Sequence, residues 1–141
     1  MTIKPYRRAV HFYETDAAGI VHHSNPIRWF EEARVDFLEQ IGYGYRKVFE
    51  SGFDFVLLSV VCDYRSMVRF GETVLVETNV TGLTPLRLTV GYTVTDGETG
   101  VIRAAGHTKH CCFDRAAGSP VALKKALPEL TALFEKTINK E

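Results

Sequence analysis

An excess of charge is the first thing this chain lacks. Seventeen basic residues stand against seventeen acidic ones in 141 residues. That balance argues against a general binder of nucleic acid or of a membrane surface, since each calls for a basic surplus. No apolar run is long enough to span a bilayer. The opening residues, MTIKPYRRAVHF, contain no secretory apolar stretch. Only three cysteines occur, Cys62, Cys111 and Cys112, and an odd number with two adjacent makes no disulfide framework. A reducing cytoplasm is the expected setting. Internal repeats, low-complexity segments and Gly-rich phosphate loops of the Walker or dinucleotide type are missing. Metal-ligand spacing is missing too. His22 and His23 are adjacent and want a third ligand, while His107 and His110, three apart on an expected strand, point to opposite faces. No metal site and no cofactor are expected. The length suits one domain over residues 1–141.

What is there centres on residues 11–36, HFYETDAAGIVHHSNPIRWFEEARVD. His11 to Thr15 reads as the end of a first strand spanning about residues 5–15. Asp16-Ala17-Ala18-Gly19 breaks it as a loop. Ser24-Asn25-Pro26 is a helix start, with a side-chain cap and a proline set for the first turn. Ile27, Phe30, Ala33, Phe37, Leu38 and Ile41 then recur at helical spacing, and Gly42 and Gly44 end the helix. Trp29 and Val35 lie off that stripe, so the helix, about Pro26 to Gln40, is apolar over much of its circumference and calls for a wrapping of other structure. Arg28 with Glu32 forms a weak supporting pair. Arg7 and Arg8 read as solvated edge charges.

Tyr45 to Ser51 reads as a short helical turn. Phe53 to Tyr64 is a near-continuous apolar run, expected as a strand buried on both sides, in part by another subunit, and continued by Arg65 to Gly71 with an irregularity where Gly71 permits a bend. Thr73 to Val80 is the next strand. Leu86 to Thr95 alternates strictly, Asp96 to Gly100 is a hairpin, and Val101 to Phe113 is the last long strand. Ser119-Pro120 and Leu127-Pro128 mark helix starts. Strands following a helix predict an α+β fold with a mostly antiparallel sheet.

Asp16 is the candidate for chemistry. A helix start presents unpaired amides and the positive end of a dipole, which can hold a carbonyl oxygen as it gains charge. A carboxylate just upstream would serve as base or nucleophile. Asp is also a common turn residue, and the pattern alone leaves both readings open. Glu14 reads as an exposed strand glutamate, and Cys111 and Cys112 as buried small hydrophobes.

The run Glu14-Thr15-Asp16-Ala17-Ala18-Gly19-Ile20-Val21-His22-His23-Ser24-Asn25, followed by Arg28-Trp29-Phe30-Glu31-Glu32-Ala33-Arg34, closely resembles the hotdog-fold acyl-CoA thioesterases of the 4-hydroxybenzoyl-CoA thioesterase family. That family carries a Thr/Cys-Asp-x-x-Gly-hydrophobic-Val loop ahead of its helix. The resemblance is specific over residues 11–40, and the order of elements fits the whole chain. It implies a curved antiparallel five-stranded sheet wrapped around a long central helix, assembled into homodimers or homotetramers with sites at the subunit interface. It implies hydrolysis of an acyl-CoA, or of an acyl carrier protein thioester, with no nucleic-acid partner. Asp16 takes the place of the catalytic carboxylate. His23, Gly19 and Val21 form the oxyanion and pocket set, with the His23 amide polarising the carbonyl. Tyr13, Ser59, Arg65 and Arg69 complete the expected substrate-binding set. Arg65, Arg69 and Arg87 suit the phosphates of coenzyme A, and equally suit solvated strand ends. Pro26 departs from the family, which usually has a Tyr there lining the acyl pocket. Two other readings remain: a non-catalytic acyl-thioester binding module, and a hotdog dehydratase acting on hydroxyacyl thioesters.

Overall fold

A computed structural model describes residues 2–138. Strand β1, Tyr6–Ala9, leads into a 3₁₀ turn, Phe12–Glu14, and then into the long helix α1, Asn25–Gln40. A short helix α2, Tyr45–Glu50, precedes four long strands: β2 Phe53–Tyr64, β3 Thr73–Thr84, β4 Arg87–Asp96 and β5 Ile102–Asp114. A short β6, Ser119–Val121, and two helices, α3 Leu123–Ala126 and α4 Pro128–Ile138, finish the described chain. The sheet runs β1-β3-β4-β5-β2, every neighbouring pair antiparallel, with β6 added beside β5.

The core lies between α1 and the sheet. Trp29, Phe30, Ala33 and Phe37 of α1 are buried against Val74 and Val76 of β3 and Val90, Tyr92 and Val94 of β4. Phe30 stacks flat on Tyr92, ring centroids 4.3 Å apart. Each large side chain removed from water in this way contributes roughly 1.5–3 kcal/mol. Trp29 is wholly buried, so the apolar face is broader than one stripe, whereas Val35 on the far side is exposed. On β4, Leu88, Val90, Tyr92 and Val94 are buried and the residues between them are half-buried, as strict alternation predicts. α1 stops where Gly42 takes a left-handed φ of +85°, a conformation open to glycine at little cost.

Several local expectations are corrected. The first strand ends at Ala9, and His11 to Glu14 forms the 3₁₀ turn because the Glu14 side chain reaches back to the His11 amide. Ser119-Pro120 opens β6 and not a helix. Pro120 suits that place because the short strand lies outside the main strand path, and proline is tolerated at such edges. Arg65 to Gly71 is a loop, not a continuation of β2. β2 is the outer edge strand of the sheet, with Val56, Leu57, Leu58 and Val61 exposed. No helix of the described residues is long and apolar enough to cross a membrane.

Candidate active site

The loop between the 3₁₀ turn and α1 is built on Glu14. Its carboxylate is buried and takes both guanidinium nitrogens of Arg8 at 3.0 and 2.9 Å, the His11 amide at 2.8 Å and the Trp29 indole N–H at 2.9 Å. Its backbone carbonyl accepts the His22 amide at 2.8 Å and the Asn25 side-chain amide at 2.7 Å. One residue thus ties β1, the loop and the start of α1 together. This corrects two expectations. Glu14 is no exposed strand glutamate, and Arg8 is no solvated edge charge, since it also binds Glu32 at 2.8 Å. Glu32 faces Arg8 and Tyr6 across to β1 and not Arg28 along the helix.

Between Glu14 and His22 the chain folds back on itself. Asp16 and Ile20 are joined by the Asp16 amide donating to the Ile20 carbonyl at 2.8 Å, and Gly19 closes the turn at φ +79°. The returning stretch pairs with the loop after β2: the Val21 amide donates to the Val68 carbonyl at 2.8 Å, and Ile20 bridges to Arg69. Asp16 Oδ1 accepts the Ala18 amide at 2.8 Å, and among the described residues its other oxygen has no partner.

Both candidate caps of α1 are diverted. The Ser24 hydroxyl pairs with His22 Nδ1 at 2.9 Å, and the Asn25 side chain goes to Glu14. The start of α1 therefore carries no side-chain cap. The His23 amide, among the described residues, donates to nothing. An uncapped helix start offers donors and positive potential to an incoming oxygen.

These parts meet at a cleft of about 540 Å³. Asp16, Ile20, Val21 and His23 form one side, Pro26 and Trp29 of α1 the inner wall, and Val94 and Ala104 of the sheet also line it. Tyr64 to Val68 line it as well. That segment is braced by Arg103: its carbonyl accepts the amides of Arg65 (2.8 Å) and Ser66 (3.2 Å), and its guanidinium reaches Ser66, Asp96 and Glu72 at 3.2, 3.1 and 3.4 Å. The amides of Thr99 and Glu98, followed by Arg103, hold the Asp96 carboxyl down at about 2.

Of the expected site residues, the cleft gathers Asp16, Val21, His23 and Arg65. Gly19 shapes the turn but does not line the cleft. Tyr13 is exposed and stacked on His11, Ser59 sits exposed on β2, and Arg69 lies beyond the cleft wall in its bridge with Ile20. Glu14, Tyr64 and Arg103 were not expected at the site. For Glu14 the one available signal is its place three residues after His11, the spacing of a capping box. Tyr64 and Arg103 act through partners distant in sequence, which no local pattern announces. Among the described residues no three His, Cys, Asp or Glu side chains cluster as a metal site would require.

The wider comparisons agree with this architecture. The model of the thioesterase-like superfamily matches residues 10–132. A protein of Aquifex aeolicus described provisionally as an esterase is 40% identical over 89% of this chain and 94% of its own. A 1,4-dihydroxy-2-naphthoyl-CoA hydrolase of Thermosynechococcus vestitus is 30% identical over 89% of this chain and 86% of its own. Among solved structures, a DHNA-CoA thioesterase from Staphylococcus aureus superposes with a TM-score of 0.89 at 25% identity, covering 94% of this chain and 89% of that one. With the long helix and its sheet shared over nearly the whole length of these relatives, the chain belongs to the thioesterase-like superfamily and has its hotdog fold.

Proposed function

We propose that this protein hydrolyses an acyl-CoA thioester to the free acid and coenzyme A. The observation that carries the reading is one cleft lined both by a carboxylate with an uncommitted oxygen, Asp16, and by His23 at the helix start, whose amide has no partner among the described residues. A thioester carbonyl is electrophilic and its thiolate leaves readily, so one base and one or two donors suffice. Asp16 takes a proton from water, whose oxygen then adds to the carbonyl carbon. Alternatively the carboxylate adds directly, the C–S bond breaks, and water opens the resulting anhydride. In both routes the charge gathering on the carbonyl oxygen falls against the His23 amide, and the tetrahedral centre collapses with loss of thiolate.

The acyl group enters between Pro26, Trp29, Val68 and Val94, an apolar lining closed in part by Pro26. Arg65, at the same cleft, is the cation suited to a coenzyme A phosphate. Two relatives are named for a dihydroxynaphthoyl-CoA, so aromatic acyl groups head the substrate panel. The working unit is a homodimer or a pair of dimers, a reading supported by the exposed apolar edge of β2.

The test is release of free thiol from aromatic, short and long acyl-CoAs by wild type and by Asp16→Asn. Wild type turns over at least one class, and Asp16→Asn loses about a hundredfold or more, in line with loss of a positioned acid–base group. Saturable acyl-CoA binding without thiol release by wild type would instead identify a binding module.

A further inference from the structure

We infer that Tyr64 is a positioning residue that fixes the carbonyl-binding amide of His23. The kinetic part of this inference rests on the thioesterase reading above. Its geometry concerns the two peptide units that flank the His23 Cα. In the first, the His22 carbonyl accepts the Asn25 amide at 3.0 Å, and the His23 N–H is left without a partner among the described residues. In the second, the Ser24 N–H donates to His22 Nδ1 at 3.2 Å, and the His23 carbonyl accepts the Tyr64 hydroxyl. Three of the four polar groups around His23 are therefore pinned, and the fourth is the one the reaction needs.

Two of the three pins are local, made by residues 22–25 among themselves. Only the Tyr64 contact comes from elsewhere, 41 residues away at the end of β2. It ties the helix start to the segment Tyr64 to Val68, which lines the same cleft. Without it the 23–24 peptide unit keeps only the Ser24 amide's bond to His22 Nδ1, and the turn 22–25, which carries the His23 N–H, loses its hydrogen bond to β2. Donor placement to within a fraction of an ångström decides how much an oxyanion site contributes. Although Tyr64 is 49% exposed, desolvation of its hydroxyl, with a smaller effect from Cys62, pushes it up to about 12, so it remains a donor across the neutral range.

The experiment uses wild type, Tyr64→Phe and Asp16→Asn as full-length protein. Tyr64→Phe keeps the ring that lines the cleft and removes only the donor. With an acyl-CoA that wild type cleaves, kcat is expected to fall about tenfold while KM stays within about twofold. A ring that served only as cleft wall would leave kcat unchanged. In isotope-labelled protein the His23 amide resonance moves on going from wild type to Tyr64→Phe, and its response to a non-hydrolysable ketone analogue of acyl-CoA shrinks. Thermal unfolding of both proteins controls for general loosening. Wild-type kcat in Tyr64→Phe, alongside an inactive Asp16→Asn, overturns the inference and leaves the thioesterase reading standing. If wild type itself releases no thiol, the thioesterase reading fails. The amide resonance then decides alone, and an unmoved His23 signal in Tyr64→Phe overturns the positioning role.

Discussion

At Glu14 one buried carboxylate collects four hydrogen bonds from Arg8, His11 and Trp29. A buried carboxylate is costly unless paired and fully hydrogen-bonded, and here it is both. Replacing it by alanine leaves a mostly buried Arg8 with Glu32 as its one charged partner and orphans the Trp29 indole. Glu14→Ala is expected to lower the unfolding free energy by about 3–5 kcal/mol, the range for breaking one partner of a buried pair. Denaturant unfolding measures it, and a loss below about 1 kcal/mol would mean the pair is solvated in practice. This residue also shows where sequence reading stops. Asp16 was legible because its neighbours, from Thr15 to Val21, form a recognisable run. Glu14, two positions earlier, has its meaning set by Arg8 on a strand and Trp29 on a helix. Neither partner is visible from a window around it.

At the scale of elements, the helix and the sheet are joined by more than apolar contact. Arg34 of α1 donates to the Tyr92 hydroxyl at 3.1 Å, Tyr92 pairs with Thr108 at 2.7 Å, and Thr108 with His110 Nε2 at 2.8 Å. The chain crosses from α1 through β4 to β5. Burial, reinforced by the positive charge of Arg34, pushes His110 down to about 4, so it is neutral in the folded protein. In the unfolded chain it titrates near 6.5. The folded pKa is depressed, and the unfolded state therefore binds the extra proton first. Stability from this group is complete above about pH 6.5 and is lost progressively as pH falls toward 4, by an amount on the order of 3 kcal/mol. Urea unfolding of wild type and His110→Gln at pH 7.5 and pH 5 checks it. The wild type loses stability over that interval and the variant loses much less; equal losses would place the titration elsewhere. The elements themselves were largely readable. α1 and β4 have unmistakable periodicity. β2 begins at Phe53 as expected, but it stops at Tyr64 where the run was expected to continue through Arg65 to Gly71. The misread segments, residues 11–15, 65–71 and 119–121, are short, and there a single side chain or a neighbouring strand outweighs local preference.

At the scale of the whole molecule, β2 is the unresolved demand. It is twelve residues long and stands at the sheet's edge, with its outer backbone groups facing no strand among the described residues. Val56, Leu57, Leu58 and Val61 are exposed on it, between 39% and 47%. Edge strands that stay solitary are short, charged, or interrupted by proline, and this one is none of these along residues 55–62. The sequence run looked like a strand enclosed on both sides, and a single chain encloses only part of it. Burial by a second copy would reconcile the two, since two edges related by a two-fold axis satisfy each other's backbone groups. The site depends on that edge, because Tyr64 ends β2 and Arg65 to Val68 follow directly. Light scattering is therefore expected to give a dimer or tetramer at micromolar concentration. Leu58→Lys with Val61→Lys, which sets like charges against each other across the axis, is expected to shift the protein toward monomer and to lower thiol release with it. A wild type that is monomeric and fully active would show that the edge needs no partner for the cleft to form.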